Sequence, residues 1–295
     1  MKISFAGLGV MGGPMARHLV EAGHEVAGFN RSPAKARAWA DATGGRFAAT
    51  VGEAAAGADL FILCVGNDDD VREVVAAALP ALGEGAVLVD HTTTSARVAR
   101  EMAELAARQN AFFIDAPVSG GQAGAEAGQL SVMAGGDAAA LARVEPILMH
   151  YAKAVKHMGP PGAGQLTKMV NQIAIAGVVQ GLAEAVHFAQ SAGLDTDAVY
   201  DAVSKGAAQS WQMDNRWKTA AAGQFDFGFA VDWMRKDLGL VLDEARANGA
   251  HLALTALVDQ FYSEVQSMGG SRWDTSSLTA RLQRPAPTSG RSGAG

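Results

Sequence analysis

A single cysteine, Cys64, occurs in 295 residues, which excludes an intramolecular disulfide framework and a thiolate metal cluster. It closes the apolar run Leu60-Phe61-Ile62-Leu63-Cys64-Val65 and reads as a small buried hydrophobe. Positive charge is also scarce: 24 Lys and Arg face 30 Asp and Glu, for a net charge of −6 and an isoelectric point near 5.6. That balance argues against a nucleic-acid binder, which would present a basic face. A substrate anion would then have to be held by a local site. The seven histidines fall at no metal-ligand spacing, so no metal is expected. Long unbroken apolar runs are missing too. The most apolar helical window, Ile173 to Ala189, contains Gln180, Glu184 and His187, and reads as a core helix and not as a membrane span. No secretory signal is read, because Lys2 leads straight into a strand, and the cytoplasm is the expected compartment.

What is present is a globular composition, 49% apolar and 18% charged, with a mean hydropathy of +0.08 and length enough for two domains. The chain opens on a short apolar strand, Lys2 to Ala6, followed by Gly7-Leu8-Gly9-Val10-Met11-Gly12-Gly13-Pro14. Gly7, Gly9 and Gly12 have the G-x-G-x-x-G spacing before a helix that runs to about Glu21. The first glycine permits the tight turn, the second lets a pyrophosphate approach the backbone, and the third allows close helix–strand packing. The helix amino end then faces the phosphates. Gly7 to Gly12, with Leu8, Val10 and Met11 between the glycines, are therefore candidate dinucleotide contacts.

A second strand, Glu25 to Asn30, completes that unit. At its end an NAD-selective fold usually puts an Asp or Glu on the ribose 2′-hydroxyl. That carboxylate is missing here, and the residues are Asn30, Arg31 and Ser32. An arginine beside a hydroxyl can hold a 2′-phosphate through charge-assisted hydrogen bonds. NADP is the expected cofactor, with NAD as the alternative. As a plain loop, the same residues would be a solvated arginine before a Ser-Pro helix start.

Strand and helix patterns keep alternating. Ala58 to Val65 is a strand ending at Gly66-Asn67, and Asp68-Asp69-Asp70 open a helix as solvated capping residues that the helix dipole favours. Ala86 to Asp90 is the next strand, ending in His91-Thr92-Thr93-Thr94-Ser95. Loops at the carboxyl ends of parallel strands face the ligand crevice, which makes Val65, Gly66, Asn67 and Thr93 candidate cofactor contacts. His91 reads as structural. Ala111 to Ile114 precedes Asp115-Ala116-Pro117-Val118-Ser119-Gly120-Gly121, where a serine hydroxyl and bare glycine N–H groups suit a carboxylate, although a turn without function fits the glycines equally well. Gln129 to Gly135 and Ala152 to His157 are further strands around a helix from Asp137 to His150, and the alternation stops near Gly159.

From Gly164 onward only helices are predicted: Gly164 through Phe188, then about Thr196 to Ser204, Trp211 to Ala221, Ala230 to Asn248, Leu252 to Ser267 and Ser276 to Leu282. The expected architecture is an α/β Rossmann-type dinucleotide-binding domain over 1–160, an all-α domain over 161–283, and a loose Pro-, Gly- and Ser-rich tail over 284–295. On the first of these helices Lys168, Asn171 and Gln172 sit at i, i+3 and i+4, so one face carries an amine and two amides. Leu166, Met169, Val170, Ile173 and Ile175 are expected to bury most of the rest. A lysine near the start of a buried helix is costly unless a partner or a job offsets its desolvation. The alternative is a snorkelling lysine with two capping amides. Further on, Phe229 precedes a helix carrying Lys236 and Asp237. These are either a surface pair of little value or, among Trp233, Leu238 and Leu240, a cation reaching the cofactor crevice.

Four motifs now stand in order: Gly7 to Gly12, Asp115 to Gly121, Gly162-Ala163-Gly164 through Lys168 to Asn171-Gln172, and Lys236-Asp237-Leu238. Together they resemble the β-hydroxyacid dehydrogenases, the family of 3-hydroxyisobutyrate dehydrogenase, tartronate semialdehyde reductase and relatives of 6-phosphogluconate dehydrogenase. The resemblance runs to about Leu282. It implies a Rossmann domain followed by a helical domain that packs in dimers or tetramers. It implies Lys168 as general acid/base, Asn171 and Gln172 orienting substrate, and Ser119, Gly120 and Gly121 on a substrate carboxylate. Phe229 and Lys236 would lie beside the nicotinamide and substrate. The reaction so implied is reversible hydride transfer between NADP(H) and a small 3-hydroxy acid or its aldehyde acid, with no metal called for. Phosphorylated sugar acids are disfavoured because the helical half lacks an arginine cluster. Imine reduction on the same fold is an alternative that Lys168 disfavours. A nucleotide-binding interaction module without turnover is another, which would need neither Lys168 nor its amides. The segment Gln209-Ser210-Trp211-Gln212-Met213 departs from the family pattern, so the exact substrate stays open.

Overall fold

Short runs of β-branched and aromatic residues between glycine turns build the first half of the chain, seen in a computed structural model that describes residues 1–283. The tail expected over 284–295 lies outside the described residues. The strands are β1 (Lys2–Ala6), β2 (Glu25–Phe29), β3 (Arg46–Phe47), β4 (Leu60–Leu63), β5 (Val87–Asp90), β6 (Phe112–Asp115), β7 (Val118–Ser119), β8 (Leu130–Gly135) and β9 (Ala152–Gly159). Between them run α1 (Gly12–Glu21), α2 (Pro33–Thr43), α3 (Val51–Ala55), α4 (Asp68–Ala78), α5 (Ala96–Ala107), α6 (Gly121–Glu126) and α7 (Ala138–Leu148). Helix α8 (Ala163–Ser191) follows, then α9 (Thr196–Val203), α10 (Trp211–Ala221), α11 (Val231–Asn248), α12 (Ala253–Ser267) and α13 (Leu278–Leu282).

The strands form one sheet in the order β3-β2-β1-β4-β5-β6-β8-β7, with β9 paired to β8. Pairings from β3 through β6 are parallel, β8 is antiparallel to β6 and β7, and β9 is parallel to β8. The order reverses at β1, so the carboxyl ends of β1 and β4 flank the switch point where ligands of such sheets bind. Side chains alternate across the sheet, as period 2 requires. Leu60 and Ile62 join Ile3, Phe5, Val87 and Val89 in one buried cluster, which takes in Met15 and Leu19 of α1. Phe61 and Leu63 join Leu88 and Phe113 in the other, against Val71 and Val75 of α4 and Met102 of α5. Burial on both faces is why these strands read as continuous apolar runs.

Residues Met1–Val170 form one compact unit and the chain from Asn171 onward a second. The second unit has its own core, in which Ala176, Val179 and Ala183 of α8 meet Met234, Leu238, Val258 and Tyr262. Leu182 and Val186 pack with Met213 and Trp217. Helix α8 has the length and composition of a membrane span, with a mean hydropathy of 1.3 over 18 residues. Its buried polar residues, Gln165, Lys168, Gln172 and Gln180, and its part in the core fit a core helix.

Several elements differ from expectation. The two-residue strands β3 and β7 and the short helices α3 and α6 were not anticipated, because none is long enough to show a hydrophobic period. The last helix begins as a 3₁₀ turn, Thr275–Ser277, before α13. Val170, expected to be buried, is exposed. Of the three acids opening α4, only Asp69 lies open to solvent. Asp68 accepts hydrogen bonds from the Ser95 N–H and hydroxyl at 2.9 and 2.5 Å.

Candidate active site

The glycine turn follows β1 in the first unit. Gly7 has a φ of +96°, and a Cβ there would stand 2.1 Å from the Cys64 carbonyl oxygen at the end of β4. A Cβ on Gly12 would lie 1.9 Å from the Gly7 carbonyl oxygen. These two glycines are demanded by the fold itself. Gly9 is different: a Cβ there would meet nothing within 4 Å, so its backbone borders open space at the amino end of α1. A diphosphate fits such a cradle, because it can approach bare backbone where the helix dipole favours negative charge. Between the glycines, Leu8 is buried in the core, Met11 packs against it, and Val10 is exposed.

Asn30 stands just past β2 and turns back on that loop. Its Oδ1 accepts from the Leu8 N–H at 3.0 Å, and its Nδ2 donates to the Ser32 carbonyl at 3.3 Å. Ser32 is the N-cap residue of α2 but makes no side-chain capping bond. The Arg31 side chain is 89% exposed and reaches Asp70 at 3.4 Å. The other Asp70 oxygen accepts from the Gly66 N–H at 3.1 Å. Asp70 is therefore held by the backbone beside the arginine and is not a solvated cap. Nearby, Val65 N–H donates to the Thr92 hydroxyl at 2.9 Å, and Asn67 caps α4 by accepting from Asp70 N–H. Thr93 is half-buried in the loop after β5.

The segment after β6 grips the start of α8 at two points. Asp115 is fully buried, with Oδ1 accepting from Gly162 N–H at 2.8 Å and Oδ2 from Gln165 N–H at 2.9 Å. It thus serves the first turn of α8 as a cap supplied from a distant strand. Burial pushes the Asp115 carboxyl up to about 6, against the pull of these N–H groups, which favour the carboxylate. Gln165 adds a second tie, accepting from Thr94 N–H at 3.0 Å and donating to the Thr92 carbonyl at 2.7 Å. Three residues beyond Asp115, the Val118 carbonyl accepts from the Lys168 ammonium at 3.0 Å. Lys168 is only 9% exposed. Ser119, Gly120 and Gly121 follow at once, the glycines at φ of +132° and +61°. The structure thus brings Lys168 to the β7 end that carries the Ser-Gly-Gly turn.

His91 lies on the same side of the sheet but is committed inside it. The Ala116 carbonyl can only accept, so His91 Nδ1 donates to it at 2.6 Å, and Nε2 accepts from the Tyr151 hydroxyl at 2.8 Å. Desolvation lowers the imidazole to about 4, outweighing the Ala116 bond that raises it.

In the second unit, a polar chain is buried behind Asn171. The Asn171 amide donates to Gln172 Oε1 at 2.8 Å, and Gln172 Nε2 donates to Asp237 Oδ2 at 2.7 Å. Lys236 lies 3.2 Å from Asp237 Oδ1. Asp237 is buried, so the pair is not a surface ornament. Gln172, expected to touch substrate, has both ends of its amide engaged by protein and is 2% exposed. Its geometry fits holding Asn171 in place. Phe229 is partly exposed, with its N–H on Asp274 at 3.0 Å. Among the described residues, no three His, Cys, Asp or Glu side chains are grouped to hold a metal ion.

Two family profiles match this chain in succession: the NAD binding domain of 6-phosphogluconate dehydrogenase over residues 2–159, and the NAD-binding of NADP-dependent 3-hydroxyisobutyrate dehydrogenase over 162–282. The chain belongs to the β-hydroxyacid dehydrogenase family. As a member, it is an NAD(P)-dependent oxidoreductase acting on CH–OH donors. It is 61% identical over 286 residues to an uncharacterized oxidoreductase of Shewanella frigidimarina, covering 96% of this chain and 98% of that one. A probable 3-hydroxyisobutyrate dehydrogenase-like protein of Arabidopsis thaliana is 40% identical, over 96% of this chain and 85% of that one. Among solved structures, Mycobacterium tuberculosis 3-hydroxyisobutyrate dehydrogenase with L-serine superposes with a TM-score of 0.88 at 34% identity, covering 96% and 99% of the two chains. Within this β-hydroxyacid dehydrogenase, sequence reasoning passed over Asp70, Asp115, Gln165 and the bond from Gln172 to Asp237. Asp115 stood inside a quoted motif, yet its partner Gly162 lies 47 positions away. An acid at the end of an apolar strand, five positions before Gly120, was the available signal.

Proposed function

We propose that this enzyme interconverts a small 3-hydroxy acid and its aldehyde acid with NADP(H) in the cytoplasm, with Lys168 as the proton donor and acceptor. The observation that carries the reading is the buried Lys168 ammonium, 3.0 Å from the Val118 carbonyl and one residue from the Ser119-Gly120-Gly121 turn. NADPH, when bound along the glycine turn, supplies the hydride for reduction. A substrate carboxylate is received by the Ser119 hydroxyl and the N–H groups of Gly120 and Gly121. Lys168 gives its proton to the alkoxide that forms at the former carbonyl, and in oxidation takes the hydroxyl proton back. Asn171, held by Gln172 and through it by Asp237, steadies the same oxygen. Lys236 and Phe229 are assigned to the cofactor and substrate side of the second unit. The relative crystallised with L-serine, itself a 3-hydroxy acid, supports that substrate class.

The test is steady-state turnover with NADPH and glyoxylate, succinic semialdehyde and tartronate semialdehyde, and with NADP and L-serine in the oxidative direction. Lys168→Ala should lower kcat by about 10²–10⁴-fold, the usual size of a general acid–base contribution. Lys168→Arg should fail as well, since a guanidinium stays protonated. Fluorescence titration should show NADPH binding intact in both variants. A folded Lys168→Ala enzyme with near-normal kcat would refute the assignment.

A dimer or tetramer is part of this reading. In the second unit Val178 and Phe188 of α8 and Leu254 and Leu257 of α12 expose apolar side chains, Phe188 to 71%. Large apolar side chains left exposed in this way are what a subunit contact would cover. Light scattering should return a multiple of 30.4 kDa, and a monomer at micromolar concentration would count against it.

A further inference from the structure

Two histidines far apart in sequence meet on the first unit. His24 sits in the turn between α1 and β2, and His150 in the turn between α7 and β9. Their Nε2 atoms are 3.3 Å apart and their ring centres 5.2 Å apart, with the planes inclined by 61°. We propose that His24 and His150 form a two-imidazole binding site for one divalent transition-metal ion of the zinc, nickel or copper type, completed by water.

The spacing carries the argument. With metal–nitrogen bonds of about 2.1 Å, two nitrogens 3.3 Å apart subtend an angle of about 104° at the ion, close to tetrahedral. Rings so placed would have their centres about 5.1 Å apart, against the 5.2 Å found here. Two imidazoles joined end to end by a single N–H···N bond would have their centres about 5.6 Å apart at the same nitrogen separation, so the rings are inclined from that axis. Imidazole nitrogen is a ligand suited to zinc, copper and nickel. It must be neutral to bind, and burial, His150 and the Met1 α-amino group all lower the proton affinity of His24. His18 and Glu21, on the last turns of α1, pair with each other at 3.5 Å. The site stands apart from the cofactor cradle: α1 separates His24 from the glycine turn by ten residues, about 15 Å of helix. Its effect is on the fold, since an ion there ties the α1–β2 turn to the α7–β9 turn.

The experiment uses the untagged full chain, stripped with a chelator and then titrated with Zn²⁺ by calorimetry. One ion per chain is expected, with a rise in Tm on saturation. Cu²⁺ in its place should give an electron paramagnetic resonance spectrum with two coordinated imidazole nitrogens. His24→Gln and His150→Gln should each weaken binding by more than the roughly 10–100-fold that loss of an outer-shell partner costs at metal sites. Both should abolish the Tm rise and leave turnover with NADPH unchanged, while His187→Gln binds as the parent does. Should one variant fail to fold, the other decides. Absence of Zn²⁺ binding by the parent, or binding by the His24 and His150 variants as tight as the parent's, would overturn the proposal.

Discussion

Replacing Asp115 by alanine should loosen the start of α8 and, through it, the placement of Lys168. The change strips the acceptors from two buried N–H groups, those of Gly162 and Gln165. A buried donor left unpaired costs about 1–3 kcal/mol, so the pair costs about 2–6 kcal/mol. At neutral pH part of that is offset, because the variant no longer buries a charge. The carboxyl is raised from 3.8 to about 6, which corresponds to about 3 kcal/mol of relief. The net effect near pH 7.5 then lies between about 1 kcal/mol of stabilisation and about 3 kcal/mol of destabilisation. The pH dependence follows from the raised value: the folded state holds this proton more tightly than the unfolded chain does. The Asp115 contribution is therefore complete below the ordinary carboxylate value and falls away as pH rises through about 6. The gap between parent and variant should accordingly widen as pH falls from 7.5 to 4.5. Denaturant unfolding at the two pH values measures it. The same variant should lose kcat while its NADPH affinity holds, and Asp115→Asn, which keeps one acceptor oxygen, should fall between. A gap that narrows in acid, or an unaltered kcat, would show that Asp115 does not organise this helix end.

His91 should push the other way. Its folded value is about 4 against an ordinary 6.5, so its contribution is full above 6.5 and is lost as pH falls toward 4, a change of about 3 kcal/mol. His91→Gln should flatten that acid loss in denaturant titrations; an unchanged slope would mean the imidazole is not the group responsible. At the cofactor end, Arg31→Leu together with Asn30→Asp should weaken NADPH by roughly 1.5–3 kcal/mol, the worth of a charge-assisted bond, and shift preference toward NADH. Asp70→Asn should tighten NADPH more than NADH, because the exposed Arg31 pair contributes little orientation while the carboxylate opposes a phosphate. Fluorescence titrations with both nucleotides decide, and a loss of NADPH affinity in Asp70→Asn would show that the acid serves to aim Arg31.

The alternation of β1, β2, β4, β5 and β6 with helices was readable because each of these strands is an apolar run and its turn is marked by glycine or an N-cap residue such as Asn67 or Ser95. These are local signals, carried by neighbours in the chain. The same holds for the spacing of Lys168, Asn171 and Gln172 on one helix. Pairings across the fold left no such trace. Arg31 and Asp70 are 39 positions apart, Gln172 and Asp237 are 65, and His24 and His150 are 126. Nothing in the periodicity of α8 says that Gln172 is turned toward an acid on α11. Nor does composition show that the Asp115 carboxylate is spent on a helix end. Buried polar atoms find partners wherever the fold brings them, and that is decided by tertiary packing.

Helix α8 runs unbroken for 29 residues, about 43 Å, and is fastened near its first turn by Asp115 and Gln165. This sets what lengths the gene can tolerate. A codon added or lost between Lys168 and Asn171 would swing everything downstream by about 100° around the helix axis. Asn171 and Gln172 would leave their face together, although the reading frame and the helix would both survive. The loop from Ser204 to Ser210, with no partner register to keep, can absorb the same change. Length variation among descendants of this gene should therefore collect in such loops and spare the few codons between the amine and the amides.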